Sequence, residues 1–84
     1  MHKVKKVTPL SDYRVLAEFE NGEKRIGDIM PLISKGGLFS ALTDLRLFNS
    51  VYLEYGAVTW KDNNGNELDI CPDKLYMDSI PAKD

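Results

Sequence analysis

The stretch Tyr13-Arg14-Val15-Leu16-Ala17-Glu18-Phe19-Glu20-Asn21-Gly22-Glu23-Lys24-Arg25-Ile26-Gly27-Asp28 decides the fold. Its first eight residues alternate. Tyr13, Val15, Ala17 and Phe19 share one face of a strand, and Arg14, Leu16, Glu18 and Glu20 share the other. Asn21-Gly22 tolerates the positive φ angles of a two-residue hairpin turn. Glu23 to Asp28 then returns as the partner strand. That turn places Phe19 opposite Lys24, Glu18 opposite Arg25 and Ala17 opposite Ile26.

Upstream, residues 3 to 8 form a short strand that Pro9 ends or kinks, because proline gives no donor to a ladder. Downstream the period changes. Asp28 to Ile33 reads as a helical turn with Asp28 as its cap, and Ser34-Lys35-Gly36-Gly37 breaks it. Leu38, Phe39 and Leu42 suit a second turn. Thr43-Asp44 caps a third containing Leu45, Leu47 and Phe48. None is long enough to be stable without a sheet to pack on. Val51 to Glu54 and Ala57 to Lys61 form a hairpin around Tyr55-Gly56. Val51, Leu53, Val58 and Trp60 lie on one side; Tyr52, Glu54, Ala57 and Thr59 lie on the other. Asp62 to Asn66 is a turn, and Glu67 to Ile70 is a last strand with Leu68 and Ile70 inward. Pro72 opens a helix to about Ser79, with Leu75, Tyr76 and Ile80 on one face.

Eighty-four residues allow one domain with a thin core. With 43% hydrophobic and 29% charged residues the chain is globular. A net charge of −2 argues against a strongly basic nucleic-acid binder. The single cysteine, Cys71, excludes an internal disulfide framework and fits a reducing compartment. No apolar run follows Lys3, Lys5 and Lys6, so neither a signal peptide nor a membrane span is expected, and the cytoplasm is the expected location.

Several residues could carry chemistry, and each has a plainer role. His2 is expected in a solvated terminus, where an imidazole is not held against a nucleophile. Cys71 precedes a helix, which favours a thiolate, but Asp69 and Asp73 flank it; a packed thiol is expected. Asp62, Asn64 and Asn66 imitate the start of a calcium loop, yet Glu67 stands where its glycine belongs. Gly36-Gly37 lacks phosphate-loop spacing and reads as a helix stop. Glu67, Asp69, Asp73 and Asp78 could hold paired carboxylates for acid–base work, but Asp73 suits the first turn of its helix. Lys3, Lys5, Lys6 and Arg14 make residues 1–14 net +3, against −5 for the rest. Those cations suit an acidic partner, a phosphate backbone, or simple protection of a strand edge. Tyr52, opposite the face of Trp60, is a candidate contact aromatic.

The order of these signals resembles the bacterial domain of unknown function 2442 family. The matching pieces are the valine-bearing strand ending in Pro9-Leu10, Tyr13-Arg14-Val15 leading to Phe19-x-Asn21-Gly22, and Gly36-Gly37-Leu38-Phe39-x-x-Leu42. They continue with Phe48-x-x-Val51, Val58-x-Trp60 and Leu68-Asp69-Ile70-Cys71-Pro72-Asp73-x-Leu75-Tyr76. The resemblance implies an α+β fold with no established chemistry. It also implies small proteins often encoded beside another small protein, some of them similar to antitoxin partners.

The expectation is therefore an α+β domain over residues 1–80, with two antiparallel hairpins or small sheets, short helices packed on one side, and a frayed tail at 81–84. The expected function is that of a non-enzymatic protein-interaction module, in its finer form an antitoxin-like partner subunit. The alternative is a nucleic-acid-binding regulatory protein using the N-terminal basic strand. No catalytic residue, cofactor or metal is expected. The expected contact residues are Lys3, Lys5, Lys6, Arg14 and Tyr52. A protein partner is expected, the product of a neighbouring gene being one candidate; self-association is compatible with the sequence, and a membrane partner is not expected.

Overall fold

The computed structural model describes residues 1–83 and shows the expected α+β architecture, with two antiparallel sheets around one core. β1 (Val4–Leu10), β2 (Arg14–Phe19), β3 (Lys24–Asp28) and β7 (Ile80–Pro81) form the first sheet, in the order β1-β2-β3-β7. β4 (Tyr52–Glu54), β5 (Ala57–Lys61) and β6 (Glu67–Ile70) form the second. Between them the chain makes α1 (Met30–Ser34), a 3₁₀ segment (Gly37–Thr43) and α2 (Leu45–Phe48); α3 (Pro72–Asp78) follows β6.

The β2–β3 register differs from the expectation by one residue. Glu18 pairs with Lys24, Ala17 with Arg25, Leu16 with Ile26 and Val15 with Gly27. The loop has three residues, not two. The Phe19 amide donates to Glu23 O at 2.8 Å, and the Gly22 amide donates to Phe19 O at 2.9 Å. Gly22, at φ +94°, supplies the left-handed residue that closes such a loop. A one-residue slip reverses every side chain of β3. Arg25 and Gly27 therefore face inward, and Lys24, Ile26 and Asp28 face outward.

The inward glycine admits α3. A Cβ on Gly27 would lie 2.6 Å from Leu75 Cδ1, so any larger residue here forces the Leu75 side chain to shift. Arg25 lies beside Gly27 and spans to the end of α3. Its Nε donates to Ser79 Oγ at 2.8 Å, another guanidinium nitrogen donates to Ser79 O at 2.7 Å, and its Cζ lies 4.5 Å from the Tyr76 ring centroid. Ser79 leaves the helix in extended backbone. Ile80 thus departs from the Leu75–Tyr76 face and pairs with Ile26 as β7, 64% exposed. Pro81 pairs with Arg25, and the Ala82 amide donates to Lys24 O at 2.9 Å. The expected fraying from residue 81 therefore does not describe Pro81 or Ala82, and its last residue, Asp84, lies outside the described residues.

Two further expectations change at the start of the sheet. β1 runs through Pro9 to Leu10, because an edge strand can place a residue without an N–H toward solvent. Tyr13 is not a strand residue: Asp12 and Tyr13 both adopt left-handed φ in a 3₁₀ turn. Tyr13 is fixed there by its hydroxyl, which donates to Thr43 O at 2.6 Å, and by edge-to-face packing on Phe48.

The second sheet has the expected register. Tyr55 and Gly56, both at positive φ, make the two-residue loop, and Leu53 pairs with Val58. Trp60 is fully buried, stacks on Phe48 and donates its indole N–H to Phe48 O at 2.9 Å. Phe48 closes α2, whose cap Asp44 accepts from the Arg46 amide at 2.9 Å, as the Thr43-Asp44 reading expects. The core joins Val4, Val15, Ala17 and Phe19 of the first sheet to Val58, Trp60, Leu68 and Ile70 of the second, with Ile29, Ile33, Leu42, Phe48 and Leu75 between.

Gly27→Ala tests this packing. Overpacking against Leu75 is expected to cost about 1–3 kcal/mol in urea denaturation. Adding Leu75→Val, which shortens the clashing branch, should make the glycine substitution less costly in a double-mutant cycle.

Candidate interaction face

The faces of the first sheet are chemically distinct. Its inner face carries the buried Val4, Val15, Ala17 and Phe19. The outer face is read from the pairing in three rows. Thr8, Leu16, Ile26 and Ile80 lie side by side across four strands. Lys6, Glu18 and Lys24 form the row on one side, and Leu10, Arg14 and Asp28 the row on the other. Leu16, Ile26 and Leu10 are half-buried by their neighbours alone and take no part in the core. The outer face thus sets apolar residues between two rows that carry charges.

The margins of this sheet are poor sites for strand addition. β1 holds Pro9 and an irregular register between Val4 and Lys6, and β7 has two residues, one of them Pro81. Such features discourage edge pairing.

The expected contact residues are dispersed. Lys6 and Arg14 lie on the outer face but in opposite rows. The Lys6 ammonium approaches Glu18 at 3.9 Å, and Arg14 Nε donates to Ser11 O at 3.1 Å. Lys3 precedes the strand, its stem against Gly56, and Lys5 occupies the irregularity. Tyr52 projects from the second sheet, in one row with Thr59 and Asp69. Partial burial, then the charges of Glu67 and Glu54, hold its hydroxyl above the usual phenol range. Glu54 is itself raised, chiefly by hydrogen bonding to Glu67 and then by that group's charge. The residues that define the face, Leu16, Ile26 and Ile80, were not among those expected. Leu16 did signal it, as an apolar residue among Arg14, Glu18 and Glu20.

The N-terminus is ordered against α3, contrary to the expectation for His2. The Val4 amide donates to Gly56 O at 2.9 Å, and the Glu20 amide donates to Lys3 O at 2.8 Å. These bonds carry His2 to the helix. Its backbone N–H donates to Asp73 Oδ1 at 2.7 Å, its Nδ1 lies 2.8 Å from the same oxygen, and its ring stacks on Tyr76 at 3.8 Å. The His2 backbone N–H first, then its ring, hold the Asp73 carboxyl below the usual aspartate range. Cys71, expected to be packed, is exposed just before α3.

The other motifs keep their plainer roles. Asp62 accepts from the Asn64 and Asn66 amides at 2.9 and 2.8 Å and closes the β5–β6 turn. Gly36 and Gly37, at φ +83° and +67°, end α1. A groove of about 360 Å³ opens between α1 and α3, with Ile29, Leu32, Ile70 and Leu75 in its lining. Charges at its rim serve the helices: Lys74 bonds Asp78 at 2.8 Å, and Asp28 accepts from the Met30 amide at 3.1 Å. No helix among the described residues is long and apolar enough to cross a membrane.

These features define a small two-sheet α+β domain with one sheet face open. The chain belongs to the family described as protein of unknown function (DUF2442), whose model matches residues 4–81. No curated protein and no solved structure matches it.

Asp73 gives a pH test. Its folded pKa lies below its unfolded value, so its stabilisation is complete above the unfolded value and is lost as pH falls through the folded one. Asp73→Asn is expected to lower the urea midpoint at neutral pH. The gap to wild type should close as pH is taken below the aspartate range.

Proposed function

We propose that this domain works by binding protein rather than by catalysis, and that it docks through the outer face of the four-stranded sheet. The observation carrying this reading is the row Thr8, Leu16, Ile26 and Ile80, which sets apolar side chains on three adjacent strands, β2, β3 and β7, outside the core. Burying such a row on a partner gains about 25 cal/mol for each Å² of apolar surface removed from water. The charged rows beside it would fix orientation more than affinity.

Two of the groups that could carry chemistry, His2 and Asp62, have structural partners, which is in keeping with a binding role. His2 is held by Asp73 and Tyr76. Asp62 is bonded to its own turn. An antitoxin-like subunit is one form of this reading, with the product of an adjacent gene as partner.

Ile26→Lys places a charge in the row at a half-buried position of the outer face, where the lysine stem can lie along the sheet and carry its ammonium to solvent, so the cost in stability is expected to be about 1 kcal/mol. The variant should keep the wild-type fold by circular dichroism. It should also lose binding, in a co-expression pull-down, to the neighbouring gene's product or to a differently tagged copy of the chain. Lys3→Ala with Lys5→Ala should retain that binding. Undiminished binding by Ile26→Lys overturns the reading.

A further inference from the structure

The charges around the apolar row are ordered in a way that bears on what covers it. Arg14 and Glu18 stand at the two ends of the β2 segment, and their cross-strand partners on β3 are Asp28 and Lys24. Signs therefore alternate around a rectangle. Arg14 and Lys24 occupy one diagonal, Glu18 and Asp28 the other, with Leu16 and Ile26 in the middle.

A rectangle of alternating charge is its own complement after a half-turn about either in-plane axis. About an axis parallel to the strands, midway between β2 and β3, Glu18 comes to face Lys24 of a second copy. Arg14 faces Asp28, and Leu16 meets Ile26. About the perpendicular axis, along the apolar row, Glu18 faces Arg14 and Lys24 faces Asp28 of the second copy. Both operations are isologous, the symmetry of most homodimers. Both are compatible with face-to-face packing of twisted sheets.

We propose that the occupant of this face is a second copy of the chain, packed sheet on sheet as a two-fold dimer. The proposal rests on the reading of the outer face as the interaction surface and names its partner. The proline-bearing margins support a face contact over strand addition. The face measures roughly 20 Å on a side from strand spacing and rise. Two such faces would bury on the order of 800 Å² in total, below the range of stable specific interfaces, so a weak, transient dimer is expected, populated toward the upper end of the micromolar-to-millimolar range.

The test uses the full chain in sedimentation velocity from low micromolar to millimolar concentration. Wild type should show a monomer–dimer equilibrium. Glu18→Lys, Lys24→Glu and Arg14→Glu should each weaken it by about tenfold or more, through like charges brought face to face. Each variant keeps its own like-charged neighbours within the chain, so an intramolecular effect would persist on mixing. An equimolar mixture of Glu18→Lys and Lys24→Glu should recover the dimer if the axis is parallel to the strands. A mixture of Glu18→Lys and Arg14→Glu should recover it if the axis follows the row. Recovery in either mixture supports the proposal and identifies the axis; recovery in neither overturns it.

Isotope-filtered NMR on mixed labelled and unlabelled wild type is independent of whether the variants fold. Intermolecular contacts should come from the Leu16 and Ile26 methyl groups, and contacts confined to another surface overturn the proposal. A wild type that is monomeric throughout also overturns it. The Ile26→Lys comparison against the neighbouring gene's product then separately decides whether the face binds a different protein.

Discussion

The three-residue loop Glu20-Asn21-Gly22 sets the register on which the rest of the molecule depends. It pairs Leu16 with Ile26 and sends both outward. It turns Arg25 and Gly27 inward, and the missing Cβ of Gly27 leaves room for Leu75. α3 can then seat on the sheet, Arg25 can clasp its C-terminal end at Ser79, and β7 can follow as the fourth strand. With a loop one residue shorter, Ile26 would face inward against Leu75 and the guanidinium would point to solvent. One left-handed glycine at position 22 thus links a local turn to the seating of a helix more than 50 residues away.

The second sheet was legible in the sequence because two signals agreed. Tyr55-Gly56 suits one short loop, and the apolar positions on both sides of it alternate in the matching phase. The first hairpin offered no such agreement. Asn21-Gly22 fits both a two-residue and a three-residue loop. The return strand could not arbitrate, because its inward residues are an arginine and a glycine rather than an apolar pair. Only the packing of α3 explains why those residue types belong inside, and that contact is remote in sequence. Ile80 was misplaced for a related reason. Its spacing from Tyr76 suits a helix, but Ser79 turns extended and accepts the Arg25 guanidinium instead.

The candidate face was legible only in part. Leu16 stood out as the apolar member of a polar strand face, while the basic residues near the N-terminus drew the expectation elsewhere. In three dimensions those cations separate. Each charge on the face gains meaning from its cross-strand partner, and that pairing depends on the register. The same limit applies to His2, whose order comes from a helix 70 positions further on. Near the chain's start, hydrogen bonds at Lys3 and Val4 extend the first strand's influence beyond its last ladder pair, and the aromatic ring of Tyr76 completes the seat.

The two prolines at the sheet's margins act as chain terminators in a polymerisation. A β-sheet with free margins can recruit strand after strand without limit, whereas Pro9 and Pro81 each withhold an amide on an outer strand. Association through the margins of this sheet is thereby steered away from open-ended strand addition.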